Sequence, residues 1–338
     1  MNNAKIIHRI LEAIQQVREE NLSYGIISLD KSVADDPHEF LFFVKPEITF
    51  LSDIKYQEAL FDLVFNKIEA FKLRIRDIRI ISASYLDQYD IIARHYGVIN
   101  ALSRNPSENL TSEAHSRFRE VFGKDTGSVS LLGSLEFLRF YKDYNVDGLD
   151  KLWQQAKSVK LAGGTYCACV SVKNEDVYLI NGFHPRQLLH FTEPGRCIVT
   201  LTLSGNLDWS VARNSFIGKT NPADAQPGSL RNEILVKKGE FGIQDVSASQ
   251  NGFHLSAGPL EGLVELMRYC SDFSTGILVK EDNYVFGRML KSNFDEATIA
   301  HFCSNKPVSH HGAKTSPFDL TEEKNCTEAL QALRTVFL

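Results

Sequence analysis

Apolar residues recur at helical spacing over Ile6, Ile7, Ile10, Leu11, Ile14 and Val17, which predicts an amphipathic helix ending near Asn21. Glu12, Glu19 and Glu20 dilute its positive charge, so its apolar stripe is expected to pack against the protein and not a membrane. The chain turns between Asp35 and Pro37. Phe40-Leu41-Phe42-Phe43-Val44 follows, a continuous apolar run of the kind found in a strand buried on both faces. Ser52 is placed to cap a helix whose inward face is Phe61, Val64, Phe65, Ile68 and Phe71. Residues 77–83 predict a second strand and Leu86–Arg94 another helix.

From Asn100 the texture changes to polar, turn-rich sequence with helical patterns over 112–122, 131–142 and 148–160. GTYCACVSV and VYLINGF then predict a hairpin that turns at Lys173-Asn174. Residues 196–203 read as a strand, Val236–Ser249 as irregular, Leu260–Tyr269 as a helix and Thr321–Phe337 as a closing amphipathic helix. Strands and helices alternate on either side of the central block, which suggests one α/β domain interrupted by a smaller module.

Composition narrows the class. The 338 residues are 43% hydrophobic, 23% charged and 10% aromatic, as in an ordinary globular protein. A net charge of −5, with no basic block, argues against a nucleic-acid partner. There is no apolar run long enough to span a bilayer, and the N-terminus lacks a signal-peptide pattern, so the expectation is a cytoplasmic protein without a membrane partner. Six cysteines between Cys167 and Cys326 make no disulfide framework. Cys167 and Cys169 share a face on a strand and are expected to be packed thiols. Cys303, His310 and His311 have poor spacing for a metal site.

Candidate chemistry concentrates in two segments. In ARNSFIGKTNPADAQPGSLR, residues 212–231, Gly218, Pro222, Pro227 and Gly228 set tight turns around Thr220, Asn221 and Arg231. A hydroxyl and a forked cation on such a loop suit a phosphate. The residues alone equally suit a rigid loop whose arginine pairs with a surface carboxylate. Further on, NGFHLS, residues 251–256, precedes a helix that contains Glu265. Asn251, His254, Ser256 and Glu265 can converge there, with imidazole as a nucleophile toward phosphorus and a carboxylate on its other nitrogen.

Together these segments resemble the nucleoside diphosphate kinase family. GKTNPADAQPGSLR is similar to the family's Gly-x-Thr-Asn-Pro block and its closing Gly-Thr-Ile-Arg, and NGFHLS to its Asn-x-x-His-x-Ser. FLFFVKPE resembles the first strand, ARHYG the His-Tyr pair, and FHPRQLLHFTEPGRCIVTLTLSG the stretch from the base-stacking aromatic into the next strand. The resemblance covers about 39–100 and 183–272.

It implies an α+β fold, a ferredoxin-like βαββαβ antiparallel sheet interrupted by a mixed helical and hairpin insertion. The chain would divide into a helical extension over 1–38, a core of 39–100 plus 183–272, an insertion over 101–182 and a C-terminal extension over 273–338. His254 would accept the γ-phosphate of ATP or another NTP, Glu265 would orient its ring, and Ser256 would bond that carboxylate. Lys45, Tyr96, Arg213, Thr220, Arg231 and Asn251 would contact phosphates or ribose, and Phe183, or else His184, would stack on the base. Mg2+ would be held through the nucleotide phosphates, with no protein side chain as ligand. A nucleoside diphosphate is the simplest acceptor, and a homo-oligomer would be the partner state.

Several positions depart from the family. Ala257 replaces its Asp, Leu255 its Gly, and Asn214 stands where its phosphate-binding Arg is expected, with Arg213 one step earlier. That displacement calls for a one-residue bulge or a replaced role. The step from Arg231 to Asn251 is longer, and residues 97–182 replace a short connection. The departures leave two alternatives: a nucleotide-binding regulatory or interaction module without turnover, and an NTP-dependent transferase acting on a protein or a specialised metabolite.

Overall fold

A computed structural model describes residues 3–18, 22–27, 36–310 and 313–336. The predicted helix end near Asn21, the turn at Asp35, His311 and Phe337 lie outside them. The chain forms two compact units, Met1–Tyr89 with Pro194–Leu338, and Asp90–Glu193. This places residues 90–100 and 183–193 with the insertion, and both terminal extensions with the core. Among the described residues no helix is long and apolar enough to cross a membrane.

The strands of the two larger sheets, in chain order, are β1 (Ser23–Ile27), β2 (His38–Val44), β3 (Arg74–Ser82), β4 (Ser130–Gly133), β5 (Val159–Ala162), β6 (Thr165–Val172), β7 (Glu175–Ile180), β8 (Cys197–Gly205) and β9 (Phe253–Leu255); Val308–His310 and Ala313–Thr315 pair in a separate antiparallel hairpin. The larger unit holds a five-stranded antiparallel sheet in the order β1-β3-β8-β2-β9. On one face Phe40, Phe42, Val44, Ile78, Ile80, Val199, Leu201, Leu203, Phe253 and Leu255 merge into a single core with the apolar sides of helices Asn3–Val17 and Ile54–Ala70. Helix Pro259–Cys270 lies against the same sheet through β2. Since β8 is buried at every position, the sheet is covered on both faces. Alternation along each strand therefore decides chemistry and not exposure.

The smaller unit has a mixed sheet in the order β4-β7-β6-β5, with β4 parallel to β7 and the other pairs antiparallel. Lys173 and Asn174 both take positive φ, 52° and 66°, as the tight hairpin between β6 and β7 demands. Cys167 and Cys169 pack beside Phe118 and Tyr178, and burial pushes the Cys167 thiol up to about 12.

Several predicted elements are corrected. The cap of helix Ile54–Ala70 is Asp53, whose carboxylate accepts from Lys55 N at 2.9 Å, and not Ser52; an anion also suits the helix N-terminus. The helix predicted over Leu86–Arg94 breaks into Ala83–Gln88 and Ile91–His95 at Asp90, which turns left-handed at φ 53°. The pattern over 131–142 is strand β4 and then helix Ser134–Phe140. Gly133 is the switch, because a Cβ there would lie 2.3 Å from Ser103 O. Likewise 148–160 resolves into helix Val146–Gln155 and strand β5, where pairing with β6 overrides helical periodicity. The closing helix is two, Pro317–Thr321 and Cys326–Leu333, since Asn325 and Glu328 form a capping box that restarts it.

Candidate functional site

Strand β9 is only three residues long, and its alternation decides the site. Phe253 and Leu255 enter the apolar core, so His254 must face the other side of the sheet. There it lies opposite Phe43 of β2, with the two rings stacked at 4.5 Å and 18°. Helix Pro259–Cys270 brings Glu265 over this face. Glu265 Oε2 is 3.0 Å from His254 Nε2 and accepts from Ser256 Oγ at 2.6 Å. Ser256 Oγ in turn accepts from Leu41 N at 3.3 Å. A carboxylate that is 2% exposed persists only with such partners. His254 itself is 19% exposed.

A second cluster joins the end of β2 to two loops. Lys45 Nζ donates to Asn251 Oδ1 at 2.6 Å, and Asn251 Nδ2 donates to Thr220 O at 2.9 Å and Ala248 O at 3.0 Å. Burial pushes the Lys45 ammonium down to about 8; Glu47 opposes that shift and Arg231 adds to it. Gly252 connects this cluster to His254. Its carbonyl accepts from Lys45 N at 2.9 Å and its N–H donates to Glu47 Oε1 at 2.8 Å. Gly252 takes φ 76°, and a Cβ there would lie 2.8 Å from Ile48 and Ile234. Arg231, buried on helix Leu230–Val236, donates to Gly218 O and Phe253 O, each at 2.9 Å.

Ala212–Ile217 winds as a π-helical turn. The wide turn swings Arg213 toward β9, where Nη1 donates to Leu255 O at 2.8 Å, while Asn214 reaches Ser210 O and Glu323.

The structure thus brings together His254, Glu265 and Ser256 as one chain, with Lys45, Asn251, Arg231 and Arg213 on the backbone around it. Thr220 is exposed, and its carbonyl accepts from Asn251 Nδ2. Tyr96 and Phe183 belong to the 90–193 unit. Tyr96 packs edge-on to His184 and Phe191, and Phe183 against Trp153 and Tyr166. His184 is buried between Gln187 and Asn100.

Sequence reasoning missed Phe43, Glu47 and Glu261. Glu261 Oε2 accepts from Ala257 N at 3.0 Å, immediately after Ser256. Desolvation and the charge of Glu265 raise its carboxyl above the ordinary value, and the Ala257 N–H and Arg213 oppose that shift. Its signal was the one-turn spacing of two acids in PLEGLVE. No protein-family model matches the chain, and it matches no curated protein. The chemistry of the site therefore carries the functional reading.

Proposed function

We propose that the protein is a phosphotransferase of nucleoside diphosphate kinase type, which moves the γ-phosphate of an NTP through His254 to a nucleoside diphosphate or a related acceptor. The observation that carries this reading is the continuous hydrogen-bonded chain Ser256–Glu265–His254. Glu265 holds Nε2, which assigns the attack on phosphorus to Nδ1. As the N–P bond forms and the P–O bond to the diphosphate breaks, the imidazole gains positive charge. Glu265 stabilises that charge from a buried position. In the second half-reaction the acceptor's terminal oxygen takes the phosphoryl group and restores the neutral ring.

The surroundings support an anionic substrate. An ammonium has three donors, and Asn251 takes one of Lys45's, which leaves donors for phosphate oxygens. Lys45 is held by an amide and not by a carboxylate, so its charge is not cancelled at the point of contact. The same cations fit a magnesium nucleotide whose metal sits on the phosphates. Bound Mg2+ supplies charge neutralisation on those phosphates. The order of the last four strands, β3-β8-β2-β9, is the arrangement expected of a βαββαβ ferredoxin-like sheet and supports the same reading.

One observation favours a second reading, a nucleotide-binding module without turnover. Arg213 and Arg231 both donate to backbone carbonyls of the β9 strand. Cations that brace the fold in this way serve binding as readily as transfer. The deciding experiment incubates the protein with Mg2+ and γ-labelled ATP and tests for acid-labile, base-stable label on the chain. The expected result is label that disappears in His254→Ala and is discharged by a nucleoside diphosphate. ATP binding without label would select the second reading.

A further inference from the structure

We propose that Phe43 is a positioning residue of this site: its ring lies flat against the His254 imidazole, fixes the plane of that ring and so aims Nδ1. This rests on the reading of His254 as the reacting group. Phe43 and His254 are directly opposed on β2 and β9, and both side chains leave the apolar core for the other face of the sheet. Their ring centroids are 4.5 Å apart and the rings are 18° from parallel.

Histidine's second side-chain torsion is its soft one. It turns the ring about the Cβ–Cγ bond in a broad, roughly two-fold well. Nε2 lies near that axis, so its 3.0 Å contact with Glu265 changes little as the ring tilts. Nδ1 lies further from the axis, and its lone pair swings with the ring. The Glu265 contact therefore selects between the two flipped rings, since a flip would turn Cε1 toward the carboxylate. It holds the plane only weakly. A flat neighbour on one face supplies that hold, because a tilted imidazole would drive an edge into the Phe43 ring.

Phe43 is itself fixed in place. It is fully buried, and the buried Tyr269 packs against it with ring centroids 5.6 Å apart at 33°. Tyr269 stands one turn after Glu265 on helix Pro259–Cys270. One helix thus supplies both the carboxylate at the imidazole's edge and the packing that holds Phe43. In the transfer proposed above, a fixed plane keeps the Nδ1 lone pair in line with the phosphorus. The aromatic face also attracts the positive charge that the imidazole gains.

The experiment compares the full-length wild type with Phe43→Leu, which keeps an apolar side chain but no flat face. Its control is Phe42→Leu, the same change one residue earlier on the core side of β2. In protein labelled at histidine and without nucleotide, 13C NMR relaxation of the His254 ring signals reads the motion of the Cδ2–H bond. Its order parameter should be about 0.85 in the wild type and in Phe42→Leu, as in rigid backbone, and below about 0.6 in Phe43→Leu. With saturating γ-labelled ATP, Phe43→Leu should take up label about 10- to 100-fold more slowly in a single turnover and bind ATP with wild-type affinity. A wild-type order parameter below about 0.6 overturns the proposal. So does a Phe43→Leu ring as rigid as the wild type's, a Phe42→Leu ring as mobile as that expected of Phe43→Leu, or a loss that falls on ATP affinity and not on rate. Should Phe43→Leu fail to fold, Phe43→Met gives the same two readings, and the wild-type value stands by itself. The ring signals require no phosphoryl transfer, so a failure there and a wild type that takes no label are separate results.

Discussion

The two faces of the five-stranded sheet are both covered and chemically opposite. β8 places Val199, Leu201 and Leu203 on one side and Thr200, Thr202 and Ser204 on the other, all of them buried. β2 sets Phe40 and Phe42 against Glu39 and Phe43, and β9 sets Phe253 and Leu255 against His254. The first face needs only complementary shape. On the second, every polar group must find a partner. Ser204 donates to Asp36 at 2.6 Å, Val285 N donates to Glu39 at 2.6 Å, Arg79 donates to Asp77 at 3.2 Å, and Thr202 Oγ1 lies 3.3 Å from Cys270 Sγ. Burial strengthens each of these contacts and makes each one costly to break. A histidine and a carboxylate can therefore be held in fixed geometry on that face without loosening the fold behind it.

The comparison breaks most visibly on the apolar face. Phe42 is fully buried between Phe216 and Phe253. Phe42→Ala should cost about 3–5 kcal/mol in urea unfolding. A loss below about 1 kcal/mol would mean that this face is not the stabilising one.

The next effect belongs to the site. Lys45→Met should weaken ATP binding by roughly 10- to 100-fold, the worth of a charge-assisted hydrogen bond. Wild-type affinity should fall as pH rises through about 8, and the variant's should not. Stability has the opposite sign. The folded-state pKa of Lys45 is depressed from 10.5 to about 8, so between those values the unfolded chain binds more protons and stability rises with pH. Thermal unfolding of Lys45→Met should lose that rise. Ser256→Ala removes one donor from Glu265 and should cost about 1.5 kcal/mol in the same urea experiment.

Legibility follows the same division. Phe40–Val44 and the helix carrying Glu265 are written in local periodicity, and both form close to where the pattern places them. Polar partners were far less legible, because they are set by chain crossings. The bond from Asn251 Nδ2 to the Thr220 carbonyl joins residues 31 apart, and no local pattern connects them. Glu261 looks like an ordinary acid in a helix's first turn. Its surroundings include Arg213 and Glu322, which no local pattern connects to it. The break at Asp90 was hidden because a left-handed residue leaves the apolar spacing on either side intact.

The smallest expected effect gives the sharpest contrast. Neighbours on a regular α-helix point about 100° apart, so adjacent side chains ordinarily reach different partners. The π turn over Ala212–Ile217 alters that geometry and lets Arg213 reach Leu255 O beside His254, while Asn214 is directed to Ser210 O and Glu323. Asn214→Ala should therefore change stability by no more than about 0.5 kcal/mol, as at other surface positions, and leave the His254 ring signals where they are. Arg213→Ala should move those signals, since it frees the carbonyl next to the ring. If Asn214→Ala moved them and Arg213→Ala did not, the Arg213 bond to Leu255 O would not shape the ring's surroundings, and the polar face would end at Glu265.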